Sequence, residues 1–517
     1  MVRRLALLAY AAVLALSFWA DLRTKPVGTD EAFTYYQVAS KSWSQLVASY
    51  SLGVNALPFP YFALLWLIDH SAGLGTLALR LPSFLFALAT LVCLHRLLAK
   101  RLGDVIAFLA CSGAVLLVGD FRYYAAEARP YTAYLFFALM SLASGAVLVR
   151  EDEPRRRDLI LNGVASFLLP SVHYVGLLYS ALVATAVTVS LPKGVRRRVV
   201  TLSSFAAGWL AFGVVNASQS SLFLCSRSLV VAWIDTPRLG TVLETAISTL
   251  SISPLIPAAF LALAMLTLFG GRPAAAATAM EGREVKYLVA VSAVWLLLPA
   301  ALHTAAALGL PNLALSRYTL PTLLATSVVS AIMLALLCPA IVRGIRASAI
   351  GGPWRGGSVA ALALGGVFIL SPVLQDSQRI ETAAPDISAA VVAQRYGILE
   401  TSALPCVTGN LHIFFTYTYH KGTSGKLYLL RKTSWEAEGF RLFHPKLASC
   451  LVRDDLRKFP AFAYIHSPES PNNYPDFDIN NWCAENGYKV VETQRMGLGS
   501  VFVVRRIEAG GAGERQP

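Results

Sequence analysis

Charge is what this sequence has least of. Only 14% of its 517 residues are Asp, Glu, Lys or Arg, while 56% are hydrophobic. A water-facing domain needs about a quarter charged residues, so the shortage excludes an ordinary soluble protein and makes a bilayer the natural solvent. Cysteine is sparse too, at seven residues. Cys93, Cys111, Cys225 and Cys338 lie in or beside apolar runs, where a thiol serves as a small hydrophobe. Cys406, Cys450 and Cys483 lie in the polar C-terminal part, where two of them can bridge if that part is extracytoplasmic; the sequence does not choose the pair. A cleavage site is also missing: Arg3-Arg4 and the apolar Leu5 to Ala20 have the charge pattern of a signal peptide, yet Ser17-Phe18-Trp19-Ala20-Asp21 offers no small-x-small site. That segment reads as a retained first span. No internal repeat is evident.

What the chain does have is a series of long apolar runs. Spans of about twenty residues are expected near 5–20, 80–99, 104–119, 131–149, 159–173, 175–191, 199–216, 242–269, 287–309, 321–342 and 358–374, eleven in all. Leu57 to Ile68 is apolar but short and holds Pro58 and Pro60, so it reads as an interfacial helix. With that parity, Arg3-Arg4, Arg96 with Lys100-Arg101, and the basic residues within 150–157, 193–198, 272–286 and 343–355 all fall on one side. They amount to nineteen of the 44 bases, whereas the opposite loops before residue 375 hold nine bases and eight acids. This is the positive-inside pattern, with a cytoplasmic N-terminus. It accounts for most of the +14 charge, and nucleic acid is not needed as a partner.

Beyond Pro372 the composition turns polar. Runs at Ile413 to Tyr419, Ala461 to Ile465, Val490 to Thr493 and Val501 to Val504 predict strands among helices, hence a small soluble α/β domain opposite the cytoplasm. The Gly-rich tail from Ala509 predicts disorder. The chain thus divides into a helical membrane domain over 1–374, an extracytoplasmic domain over 375–508 and a tail over 509–517. Trp435, Tyr464, Tyr474 and Trp482 of the second domain are candidates for stacking on sugars or for ordinary packing.

Charges on the outer face need another reason. Asp30-Glu31 follow the first span by about ten residues, in a segment whose Phe33, Tyr35, Tyr36 and Trp43 suggest interfacial packing. A carboxylate there can act as a general base or cation ligand. Three arginines recur beside prolines at helix starts: Arg80 before Pro82, Arg129 before Pro130 and Arg317 before Pro321. A helix N-terminus offers free N–H groups and partial positive charge, so an adjacent Arg makes a phosphate site, unless it merely snorkels to lipid headgroups.

The run Glu127-Ala-Arg-Pro-Tyr131 opening a span resembles the signature of bacterial membrane glycosyltransferases of the C-type superfamily, in the branch of the protein O-mannosyltransferases and the lipid A aminoarabinose transferase. Asp30-Glu31-Ala32, Leu79-Arg80-Leu81-Pro82-Ser83, His173-Tyr174 and Arg317-Tyr318-Thr319-Leu320-Pro321 agree in order and side. The likeness covers residues 1–374. It departs at Asn55-Ala-Leu-Pro-Phe-Pro60, where members often have His-Pro-Pro, and at Ala126, where they often have Gln, both in the substrate-facing region. The resemblance implies a polytopic inner-membrane enzyme taking a sugar from a polyprenyl-phosphate donor to a glycan, lipid or protein acceptor of the envelope. Asp30 would be the base, with inversion, and Glu31 would orient the segment. Arg129, Arg317 and then Arg80 would hold the donor phosphate, and Glu127, Tyr131, His173 and Tyr318 would lie near substrate. No cofactor is expected; a divalent ion at Asp30 and Glu31 is conceivable and not required. The rival readings are a transporter or flippase for lipid-linked saccharides, a ligase of whole glycan chains, and a receptor.

Overall fold

The computed structural model describes residues 2–25, 27–51, 57–73, 75–116, 118–192, 194–217, 282–308 and 316–348. In the C-terminal part it describes 403–409, 413–415, 417–418, 427–431, 450–466, 477–496 and 499–507. The spans expected near 242–269 and 358–374, residues 52–56, Trp435, Tyr474 and the tail lie outside these.

The described residues of the membrane part are mostly helical. Its elements are α1 (Val2–Thr24), α2 (Thr29–Val38), α3 (Trp43–Ser51), α4 (Pro60–Ala72), α5 (Thr76–Leu102), α6 (Asp104–Cys111), a π-helical turn (Ser112–Leu116) and α7 (Gly119–Ala125). After these come α8 (Tyr131–Arg150), α9 (Arg156–Val172), α10 (Gly176–Ser190), α11 (Val195–Val215), α12 (Arg283–Ala307) and α13 (Thr322–Ser348). Among the described residues five helices, α1, α5, α8, α11 and α12, are long and apolar enough to cross a membrane. The stretch expected to span at 104–119 is instead eight α-helical and five π-helical residues, a total rise of about 20 Å, short of a bilayer core. The 13-residue α4 is also too short to span, and it starts at Pro60 where the proline's missing N–H costs nothing.

Leu8, Val189, Leu210, Val214 and Leu297 project from the helices largely uncovered, which suits contact with lipid tails better than with water. Inside, small residues let helices close up. A Cβ on Gly208 of α11 would collide with the Gly163 carbonyl of α9. Gly103, at φ 89°, supplies the left-handed corner between α5 and α6 that other residues adopt only with strain.

Among the described residues the C-terminal part folds as a six-stranded sheet with an α-helix, α14 (Ile479–Asn486), and a 3₁₀ helix (Arg453–Lys458). Its strands are β1 (Cys406–Thr408), β2 (Leu427–Arg431), β3 (Cys450–Val452), β4 (Ala461–His466), β5 (Tyr488–Met496) and β6 (Gly499–Arg506), in the order β3-β2-β1-β4-β6-β5. The first four are parallel, and the β5–β6 hairpin adds antiparallel to β4. Three of the expected strands fall within β4, β5 and β6. The fourth does not: 413–415 and 417–418 are helical. Packing overrides β-propensity there, because buried Phe414 and Phe415 fill the gap between the sheet and α2. Tyr464 and Trp482 are core residues, so stacking on a sugar is closed to them. Cys406, Cys450 and Cys483 are buried, unbridged thiols.

Candidate active site

Asp30 and Glu31 are neighbours in the first turn of α2, and successive helical residues point about 100° apart. Glu31 therefore turns inward when Asp30 turns outward. Glu31 is 1% exposed and Arg80 fully buried. Arg80 donates from Nε to Glu31 Oε1 and from Nη2 to Oε2, both at 2.8 Å. The rest of the guanidinium donates to the carbonyls of Asp21 at 3.0 Å and Lys25 at 3.2 Å. Glu31 also accepts from the N–H of Ala128 at 2.9 Å and of Gly28 at 3.3 Å. A bidentate, desolvated pair satisfied on every side fixes geometry. It ties the end of α1, the start of α2, the start of α5 and the loop before α8 into one joint. Four of the five N–H groups of the Arg80 guanidinium are engaged in this way, and the Glu31–Arg80 pair holds the chain segments around the site. The helix carrying Arg80 also begins earlier than the expected residue 80, at Thr76, with Pro82 inside it.

Asp30 emerges from that joint with its side chain 44% exposed. Its Oδ2 lies 3.5 Å from Arg317 Nη1 and 3.8 Å from Arg129 Nη2. Arg129 is buried and is held by the Asp30 carbonyl at 3.5 Å and Thr34 Oγ1 at 3.4 Å. Its own carbonyl accepts from Ser83 Oγ at 3.0 Å. Pro130 N-caps α8, and Thr132 Oγ1 donates to the Ser83 carbonyl at 2.9 Å, so α5 braces the whole Glu127–Tyr131 motif. Arg317 sits on a 3₁₀ turn (Ser316–Tyr318), its guanidinium 6.0 Å from the Tyr131 ring and 5.5 Å from that of Tyr318. Residues 287 apart in sequence thus meet at one carboxylate.

His173 closes the far wall. Its ring stacks on Tyr134 at 4.9 Å and meets Tyr318 edge-on at 4.7 Å, while Tyr134 donates to the Tyr318 carbonyl at 3.0 Å. His173 Nδ1 is 3.3 Å from the Val175 N–H and must accept it. The neutral ring then carries its hydrogen on Nε2, which is buried and has no hydrogen-bond partner among the described residues. Such a donor is costly to leave unmade and suits a ligand oxygen.

Glu127 is another unfinished group. It is 7% exposed, and Oε2 has no hydrogen-bond partner among the described residues. Burial pushes its carboxyl up to about 7; nearby Lys25 opposes the rise, and Glu31 and Asp30 add to it. Lys25 is held below its ordinary value by burial, against the pull of Glu127 and Glu31, and its ammonium lies 3.4 Å from the centre of the Tyr123 ring. Lys25 and Thr34 carry no motif of their own, whereas Ser83 closes the Leu79–Ser83 motif. Of the first two, Thr34 alone had a readable signal, as the residue one turn after Asp30 whose hydroxyl back-bonds to the Asp30 carbonyl at 2.9 Å. Among the described residues no group of three His, Cys, Asp or Glu side chains is arranged to hold a metal ion.

The C-terminal sheet covers this end of the bundle. Val27, Ala32 and Tyr36 of the α2 region share a core with Phe414, Phe415, Leu427 and Val501, and Phe33 meets Phe415 edge-on at 5.3 Å.

No protein-family model matches the sequence, and no curated protein matches it either. Among solved structures, the chain is similar to ArnT from Cupriavidus metallidurans bound to undecaprenyl phosphate. The TM-score is 0.54 and the identity 16%, over 98% of this chain and 99% of that one. Against ArnT from the same organism in the apo state the TM-score is 0.53 and the identity 14%, over 96% and 97% of the two chains. The fold is therefore that of ArnT along almost its full length.

Proposed function

We propose, from the premise of an ArnT fold, that this chain is a multi-pass inner-membrane glycosyltransferase that takes a sugar from a polyprenyl-phosphate donor. The observation that carries the proposal is the convergence of Arg129 and Arg317 on a half-exposed Asp30, beside a motif resembling that of C-type glycosyltransferases and in a fold that in ArnT was solved with undecaprenyl phosphate. The domain division at about residue 374, the cytoplasmic N-terminus and the extracytoplasmic sheet belong to the same proposal.

In this mechanism an acceptor hydroxyl attacks the anomeric carbon opposite the departing phosphate, which inverts that centre. The new carbon–oxygen bond forms as the bond to phosphate oxygen breaks, the hydroxyl proton passes to Asp30, and polyprenyl phosphate leaves. Arg129 and Arg317 answer the charge developing on the phosphate; preorganised donors of this kind are worth roughly 3–4 kcal/mol each in a site shielded from water. His173 Nε2–H and Tyr318 line the sugar pocket with Tyr131. Glu127, beside Lys25, faces the substrate as a carboxyl that changes charge near neutrality. A divalent ion is not required in this mechanism.

The test is incubation of the purified full chain with radiolabelled polyprenyl-phosphate sugars and envelope acceptors. Transfer by the natural chain, lowered on the order of a hundredfold in Arg129→Gln, is the expected result. Label carried across vesicles without any covalent transfer would support a transporter instead.

A further inference from the structure

The opposite end of the bundle carries a second polar site. Arg80 and Arg101 lie 21 residues apart on α5, which puts them about 30 Å apart along its axis. At that far end a cavity of about 480 Å³ is lined by Lys100, Arg101, Arg150, Gly282, Arg283, Glu284 and Val285. These come from the C-termini of α5 and α8 and the N-terminus of α12, three helices that meet at one level.

The described charges there do not balance. Arg101 pairs with Glu284, Arg150 with Glu151 at 2.7 Å, and Arg283 with Asp152, which Arg197 also approaches at 3.9 Å. Among the described residues five cations thus face three carboxylates, and Lys100 has none within ion-pair distance. Four of the five cations line a single cavity. Like charges crowded around an opening repel one another unless an anion sits between them. Because the helix ends place the opening at the level where a bilayer's headgroups begin, an anion with an apolar tail can enter it sideways along the helices.

We propose that this cavity binds a phosphate-bearing anion, supplied by an anionic phospholipid whose headgroup bridges Lys100, Arg150 and Arg283 and so fastens α5, α8 and α12 together. The site is independent of the transferase chemistry at the other end.

The test is native mass spectrometry of the detergent-purified full chain with dioleoyl phosphatidylglycerol or dioleoyl phosphatidylcholine, with inorganic phosphate as a competitor. The phosphatidylglycerol adduct should dominate on the order of tenfold. Lys100→Gln should lower its retention about fivefold, the effect of removing one cation near a lipid headgroup, Lys100→Arg should restore it, and Arg157→Gln, at an exposed base outside the cavity, should leave it unchanged. Equal retention of both lipids, an unaltered Lys100→Gln protein, or an equal loss in Arg157→Gln would overturn the site. Displacement of the lipid by inorganic phosphate at matched concentration would overturn the lipid as its source.

Discussion

Replacing Arg80 by Ala should unfold this protein before it disturbs donor binding. The change removes four hydrogen bonds, two to Glu31 and one each to the carbonyls of Asp21 and Lys25. It leaves a carboxylate that is 1% exposed with only the N–H groups of Gly28 and Ala128. Breaking one side of a buried pair costs about 3–5 kcal/mol, a large part of the stability of a typical domain. Arg317 provides the contrast, because its 3.5 Å contact with half-exposed Asp30 is of the kind worth about 1 kcal/mol or less. Thermal unfolding of the purified variants, followed by the monodisperse peak in size exclusion, should separate the two, with Arg80→Ala lost or strongly destabilised and Arg317→Ala close to the natural protein. The double variant Glu31→Leu with Arg80→Met should recover part of the loss, since no buried charge is then left alone. An Arg80→Ala protein that unfolds at the natural temperature and fails only in donor use would refute the positioning role.

Glu127 and His173 give further expectations. Glu127 is raised in the fold to about 7 from an ordinary value near 4.5, so its contribution to stability is complete below about pH 4.5 and is lost as pH rises through 7. Glu127→Gln should therefore gain on the natural protein by about 3 kcal/mol between pH 5 and pH 8, read as the difference in unfolding midpoints; parallel midpoints at all pH values would count against it. His173→Phe keeps a ring to stack on Tyr134 and removes the Nε2 hydrogen. It should fold normally and lose on the order of tenfold to a hundredfold in transfer, the effect of leaving one ligand hydrogen bond unmade, while unchanged turnover would remove His173 from the substrate wall.

Much of the site was legible because its residues stand in short motifs at helix ends. Their division of labour was given by the resemblance alone, not by the residues themselves. Asp30 and Glu31 are chemically alike and adjacent, and only the rotation of α2, set by the Arg80 joint and by Phe33 and Tyr36 packing on the sheet, decides which faces outward. Arg80 resembled Arg129 and Arg317 in sequence because all three precede prolines. Its burial depends on α5 starting a turn before the motif, which Gly75 as N-cap permits. The tautomer of His173 follows from a backbone N–H two residues on, and its meeting with Tyr134 and Tyr318 is a matter of tertiary packing. Lys25 gave no signal, since its proximity to Glu127 exists only once α1 and the loop before α8 are brought together. The helical character of 413–415 and 417–418 was hidden by an aromatic, strand-like composition.

The central claim is that Asp30 accepts the acceptor's proton, and it is tested most directly by Asp30→Asn. The substitution keeps the size of the side chain at a half-exposed position, so the protein should fold, bind donor and elute as the natural one does. Label transfer from the polyprenyl-phosphate sugar should fall by at least about a hundredfold, the scale of general-base catalysis. Transfer within a few-fold of the natural rate, in a protein that binds donor normally, would contradict the account.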